Sequence, residues 1–496
     1  MRKHHRGRGK SGSRIPFDAG RRRFLAGVAA AGGALALPGC GTGDSDPVEA
    51  DAKIGKGALP NPEDSGIDHI VQVMMENRSY DHMLGWVPKS NGIQNQVFVN
   101  NNGEEVPTFH MGNSDPDYGF QGCGWEDPSH GYGAGRIHLN NGAMDGFLKT
   151  VGNPVDKFPV GYYNAEDVLF YKGVAENFTI CDNYFHGLLG STFPNRIYMH
   201  AGQTDRVSND FYPGQSDGQP PTPSTLPTIW DLLAAKGISG KNYFSDLPIT
   251  AFWLDKYAGI TAPFEQFLID AQRGELPAVS YFDPNFGFAV GESPAGVSRD
   301  DHPQADIRDG QVYLTEIYNA LRASPNWERT LMIVTYDEWG GFFDHVAPPV
   351  GPISAEEAAL GNDGTLGFRT PCVILGPRAK RGHVAHFRFD PNSVINLIRW
   401  RFGLGSLSAR DHWSHNMAMA LDFKNPPNPD APAFGQASPG GAPATSRGVP
   451  FGAPCFNYLT NQFPADAPMS AAQREWLEHQ NELRPLYEMA RRSGLI

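Results

Sequence analysis

The feature that most constrains this chain is a pair of short, β-branched apolar runs that each end abruptly in acids or amides. Ile67–Met75 (IDHIVQVMM) runs into Glu76 and Asn77, and Thr330–Thr335 (TLMIVT) runs through Tyr336 into Asp337 and Glu338. Both lack a 3.6-residue period and are too short for buried helices, so they read as strands covered on both faces. Comparable runs lie at Phe178–Cys181, Lys241–Phe244, Ala278–Phe282 and Cys372–Leu375, with helical patterns at Thr228–Lys236, Gly310–Ala323 and Pro391–Phe402. Strands alternating with helices predict an α/β fold, a mostly parallel sheet with helices on both faces. Pro-rich segments at 213–227 and 425–454 add loop-rich insertions, and Ser470–Arg492 reads as an amphipathic helix packed on the domain. In such a sheet the functional groups collect beyond the carboxyl ends of the strands.

Charge narrows the partners. The chain carries a net charge of -13, yet residues 1–39 hold nine Lys/Arg against the single acid Asp18, so everything after them stands at -13 - 8 = -21. A nucleic-acid partner is excluded on sign, because polyphosphate attraction requires a basic surface.

The basic start is an address. Arg21-Arg22-Arg23-Phe24-Leu25 opens an apolar run of about fifteen residues reaching Leu37, shorter than the roughly 20 needed to span a bilayer. The arginine pair followed by Phe-Leu resembles a twin-arginine signal, and Leu37-Pro38-Gly39-Cys40 resembles a lipoprotein cleavage box. The expectation is a signal peptide over 1–39, a lipid anchor at Cys40 with a tether over 40–64, a catalytic domain over 65–424, and a Pro/Gly-rich segment with a terminal helix over 425–496. Export would leave Cys123, Cys181, Cys372 and Cys455 in an oxidising compartment, where an even count suits at least one disulfide of undetermined pairing.

The four side chains Glu76, Asn77, Asp337 and Glu338 are hard oxygen donors at two strand ends. Such a set fits Ca²⁺, Mg²⁺ or Mn²⁺ better than Zn²⁺. Each dipeptide alone has a plainer reading, as a turn cap or a solvated acidic loop; both together after apolar strands favour one divalent cation. Between them, Gly187–Arg196 (GLLGSTFPNR) is a glycine-rich turn entering a helix, with Pro194 in the first turn. That sets Thr192 beside free backbone N–H groups suited to a phosphoryl anion, or makes Ser191 or Thr192 a simple N-cap.

Met75–His82 (MENRSYDH), Gly190–Arg196, Asp301-His302-Pro303 and Thr335–Val346 (TYDEWGGFFDHV), occurring in order within residues 67–423, together resemble the bacterial phosphoesterase family of phospholipases C and related acid phosphatases, within the alkaline-phosphatase-like superfamily. The resemblance implies that Glu76, Asn77, Asp337, Glu338 and Thr192 bind the cation and that Thr192 is the nucleophile. It implies that His130, in Asp127-Pro128-Ser129-His130, His302 and His345 contact the phosphoryl oxygens or the leaving group. The implied substrate is a phospholipid, with small phosphomonoesters or a non-catalytic ligand-binding lipoprotein as alternatives. Threonine at 192 disfavours the related sulfatase chemistry, because sulfatases convert a Cys or Ser at that place to formylglycine. Ser191, Phe193 and the segment Phe389–Ser393 depart from the family pattern, which bears on substrate preference. Trp125, Tyr132, Trp339 and Phe342 near these loops suit a choline-accepting pocket, although aromatics pack in cores by default.

Overall fold

The computed structural model describes residues 59–112, 119–120, 127–209, 222–288, 298–303, 305–438 and 471–496, with no side chains described for 471–481. The expected signal peptide, Cys40, most of the tether, Trp125, Cys123 and Cys455 lie outside the described residues.

Eight strands form the main sheet: β1 His69–Met75, β2 Thr179–Cys181, β3 Gly240–Phe244, β4 Thr261–Pro263, β5 Val279–Asp283, β6 Thr330–Tyr336, β7 Val373–Leu375 and β8 His383–Ala385. Their order is β8-β2-β7-β6-β1-β5-β3-β4. Strands β1, β3, β4, β5 and β6 pair in parallel, as do β2 and β8. The departure from parallel is β7, which runs antiparallel to both β6 and β2. Strand direction is invisible in an apolar run, and β4 (TAP) and β8 (HVA) escape notice because neither is an apolar run and both are only partly buried.

β1 and β6 lie side by side at the centre, and their side chains are buried on both faces apart from the first residue of β1. Ile70, Val71, Val73, Leu331, Ile333 and Val334 fill the interior. The principal helices are α1 Tyr132–Leu139, α2 Leu169–Asn177, α3 Thr192–Ala201, α4 Ile229–Ala235, α5 Phe264–Arg273, α6 Ile307–Ala323, α7 Pro391–Phe402 and α8 Ala471–Arg492. One packed set joins α3 to α4 and α7, and another joins α6 to α2 and α5. In α8, Leu483, Leu486, Met489 and Ala490 are buried, and the helix packs against 249–260. No described helix is long and apolar enough to cross a membrane.

Local signals explain several boundaries. Thr228 caps α4 in a reciprocal box with Asp231, and Asp390 does the same for α7 with Ser393. The segment Phe389–Ser393 that departs from the family pattern is therefore, in this protein, the start of a helix. Cys181 and Cys372 face each other across β2 and the entry to β7, where Cys181 N–H donates to Cys372 O at 2.8 Å. Both are buried free thiols, so an expected disulfide would fall to Cys123 and Cys455, which lie outside the described residues.

Candidate metal-assisted active site

The register Met75↔Tyr336 on parallel neighbours puts the residues that follow, Glu76 and Asp337, side by side where β1 and β6 end. The chain then turns sharply on both strands. Asn77 takes φ +60 and Gly340 φ +61, and a Cβ on Gly340 would stand 2.1 Å from the Asn77 carbonyl oxygen, so only glycine lets the two turns touch. Asn77 N–H and Glu338 N–H both donate to Asp337 Oδ1, at 3.2 and 2.7 Å, while Gly340 N–H donates to Glu338 Oε2 at 2.7 Å. Backbone bonds thus fix the rotamers of two acids before any ligand arrives.

Thr192 is the first residue of α3, and Ser191 makes no side-chain cap. Its buried hydroxyl donates to Glu76 Oε1 at 3.3 Å. The turn before it is held by Asn195, whose side-chain amide donates to the carbonyls of Leu188, Gly190 and Ser191 and accepts from Leu188 N–H. Thr192 is therefore presented by a rigid loop and is not the plain helix cap that its position also allowed.

His130 reaches the same place from the loop before α1. Its Nε2 lies 3.4 Å from Asn77 Nδ2 and 3.8 Å from Glu338 Oε1, and its Nδ1 bonds the Pro128 carbonyl at 2.8 Å. His302 joins through Asp127: Asp127 Oδ2 is 3.7 Å from His130 Nδ1 and 3.6 Å from His302 Nε2. The structure thus gathers Glu76, Asn77, Thr192, Asp337, Glu338, His130 and His302.

His345 belongs to a different cluster. Its Nδ1 lies 2.6 Å from Asp81 Oδ2 and its Nε2 3.2 Å from Asn91 Oδ1, beside Asp344 and the buried Arg369. Arg369 already supplies the positive charge there, bonding Asp81 at 3.1 Å and Asp344 at 2.5 Å. Both ring nitrogens of His345 are engaged in positioning the loop that follows the acid pair. Among the aromatics, Trp339 is fully buried against His186, His138 and Phe368, and Phe342 stacks on His82, so both pack as core. Tyr132 stacks under Arg136 at the surface and donates to Gly361 O.

Sequence reading missed three participants. Asp127 sat in a quoted motif but was not singled out. Asp300 lies against Glu76, which donates its backbone N–H to Asp300 O at 2.8 Å. Arg196, four residues after Thr192, has Nε 3.1 Å from Asp337 Oδ2 and Nη2 3.4 Å from Glu76 Oε2. The signal for Arg196 was its place one helical turn beyond Thr192, on the same face.

The electrostatics are those of a site short of positive charge. Burial, followed by neighbouring acids, pushes Glu76 and Glu338 well above the usual carboxylate range, despite Arg196 acting against this on Glu76. Burial likewise pushes Asp337 up to about 6, opposed by Arg196. Asn77 Oδ1 and Glu338 Oε1 are buried and accept no hydrogen bond. Buried, unsatisfied oxygens beside acids too crowded to ionise together fit a hard divalent cation, which would be held by Glu76, Asn77, Asp337, Glu338 and Thr192.

Residues 67–405 match the model of the Phosphoesterase family. Among curated proteins, the chain is 30% identical to non-specific phospholipase C6 of Arabidopsis thaliana, covering 74% of each chain. It is 30% identical to phospholipase C A of Mycobacterium tuberculosis, over 79% of this chain and 85% of that protein. It is also 30% identical to phospholipase C B of the same organism, over 85% and 89%. A strand-end cluster of acids meeting a helix-borne threonine, within a match that spans most of the chain, leads to one conclusion: this protein belongs to the Phosphoesterase family and is a phosphoric ester hydrolase.

Proposed function

We propose that this protein is an exported, divalent-cation-dependent phosphoesterase that cleaves phospholipids in the phospholipase C manner, or closely related phosphate esters, through a covalent phospho-threonine at Thr192. The observation that carries the reading is the Thr192 hydroxyl 3.3 Å from Glu76 Oε1, at the edge of a buried oxygen cluster with unsatisfied acceptors. The names of the relatives support the phospholipid substrate.

A bound divalent cation would stabilise the threonine alkoxide and offset the phosphoryl charge. The rest falls to the chain. Asn195 holds the Thr192 loop so that the hydroxyl oxygen approaches phosphorus without loop rearrangement, which lowers the entropy cost of attack. Glu76 Oε1 already accepts the hydroxyl hydrogen and orients the attacking lone pairs. His130 and His302 are the groups placed to contact phosphoryl oxygens and to protonate the departing alcohol. His302 Nδ1 is turned to the Pro303 carbonyl at 3.1 Å, which fixes its ring and leaves Nε2 toward Asp127. Water then hydrolyses the phospho-threonine, giving retention at phosphorus after two inversions. His345 serves by holding the loop after the acid pair.

The leader supports export by the twin-arginine route to the cell envelope, and Cys40 supports lipid anchoring, which would keep the enzyme beside a membrane substrate. The test uses p-nitrophenyl phosphorylcholine, phosphatidylcholine, p-nitrophenyl phosphate and p-nitrophenyl sulfate, each with chelator and after metal restoration, for wild type and Thr192→Ala. Diester cleavage that chelator abolishes, metal restores and Thr192→Ala eliminates is expected. Activity confined to p-nitrophenyl phosphate moves the substrate to monoesters. Silence on all four substrates, or near-normal turnover by a folded Thr192→Ala protein, refutes the proposal.

A further inference from the structure

The expected chemistry leaves Arg196 unexplained. Its side chain is 1% exposed, yet it does not lie on the Thr192 hydroxyl; it turns under the ends of two strands. Nη1 and Nη2 donate to the carbonyls of Met74 and Met75 at 3.3 and 3.1 Å, and the guanidinium lies over the Phe286 ring at 4.6 Å. Its remaining reach is spent on one oxygen from each strand-end acid, Glu76 Oε2 and Asp337 Oδ2. The other oxygen of Glu76, Oε1, is the one facing Thr192. Arg196 also lines a cavity of about 10 Å³ with Gln72, His200, Tyr281 and Asp283, room for no more than a single water and too small for a hydrated ion.

Charge balance gives this geometry meaning. Glu76, Asp337 and Glu338 carry three negative charges when ionised, all buried, and uncompensated buried charge is costly. A divalent cation supplies two positive charges and Arg196 a third, and the adjoining buried Asp300 and Asp283 add to the demand for positive charge on the Arg196 flank. We propose that Arg196 is a built-in cation of the acid cluster, filling the flank where a second divalent ion would otherwise be drawn. It thereby limits the site to one exchangeable ion and keeps the Thr192 helix tied to both strand ends when that ion is absent. Arg196 is a positioning residue, and the proposal rests on the reading of the cluster as a cation site given above.

Arginine suits the task better than lysine on geometry, since its fork meets two carboxylates and two carbonyls at once. Lysine keeps the charge and loses the fork. Removing the charge altogether should make the cluster take up more divalent cation, whereas a residue that only orients ligands would, when lost, weaken metal uptake. The two roles therefore predict opposite signs.

The experiment measures Mn²⁺ stoichiometry by calorimetry and electron paramagnetic resonance, and Tm in chelator and in saturating Mn²⁺, for wild type, Arg196→Met and Arg196→Lys. Wild type is expected to bind about one Mn²⁺ per chain. Arg196→Met should fall sharply in Tm in chelator, bind about two, and show a Mn²⁺-dependent Tm gain about twofold larger than wild type or more. Arg196→Lys should keep about one ion and a gain near that of wild type. An Arg196→Met protein that Mn²⁺ does not rescue, or that binds one ion with an unenlarged gain, overturns the proposal while leaving the cation site intact. So does an Arg196→Lys protein that takes two ions. A wild type with no saturable Mn²⁺ uptake overturns the functional reading itself, and this inference with it.

Discussion

The acid cluster makes cation affinity a function of pH, and its sign and size follow from Asp337. A carboxyl pushed up to about 6 holds a proton through most of the acidic range, and a cation must displace that proton to use the oxygen. For one competing proton, affinity scales as the ionised fraction, about one part in eleven at pH 5 and nearly complete at pH 8. That is about a tenfold gain from Asp337 alone, or about 1.4 kcal/mol. Glu76 and Glu338 sit well above their ordinary values for the same reasons and add in the same direction. The assay is calorimetric Mn²⁺ titration at pH 5, 6, 7 and 8, each in two buffers of different ionisation enthalpy to count protons released. Affinity should rise at least about tenfold across the range, with protons released near pH 6. A flat affinity with no proton release would refute the reasoning. Stability gives an independent check. In the metal-free protein the native state retains a proton on Asp337 that the unfolded chain loses above its ordinary value near 4, so this group costs stability increasingly as pH rises toward 6. The buried His138, His186 and His200, each held down to about 3 by burial, act with opposite sign: their contribution is lost as pH falls below about 6.5. The absolute Tm profile therefore mixes both, whereas the gap between metal-loaded and chelated Tm isolates the acids and should widen with pH.

Other consequences are simpler to read. Gly340→Ala must displace the Asn77 carbonyl, so activity should fall by orders of magnitude while far-UV circular dichroism is retained; a fully active variant would mean the two turns are not in contact. Cys181 and Cys372 should react with a thiol reagent only after unfolding, and mass spectrometry of the native protein should find no bond between them; a linked peptide would contradict the free thiols.

How much was legible beforehand depended on whether the determinant was local. The two strands with their terminal Glu76-Asn77 and Asp337-Glu338 stood out because burial on both faces leaves an apolar run that stops where the chain meets polar chemistry. Thr192 at a helix start was visible from Pro194 and the preceding glycines. The helices at Ile229–Ala235 and Pro391–Phe402 carried their own caps in Thr228 and Asp390. The three histidines looked equivalent in sequence. Folding separated them: His130 and His302 meet through Asp127, whereas His345 is drawn to Asp81.

By itself, then, the amino-acid order determined the element types and the residue chemistry delivered at strand ends, because strand burial, helix caps and glycine turns are governed by neighbours along the chain. Only the tertiary structure decided which distant groups share a boundary: the reversal of β7, the pairing of Cys181 with Cys372 as thiols, the removal of His345 from the cluster and the seat of Arg196 under two strand ends. Those contacts join residues up to some hundreds of positions apart, and they are set by sheet register and side-chain packing, which no local pattern encodes.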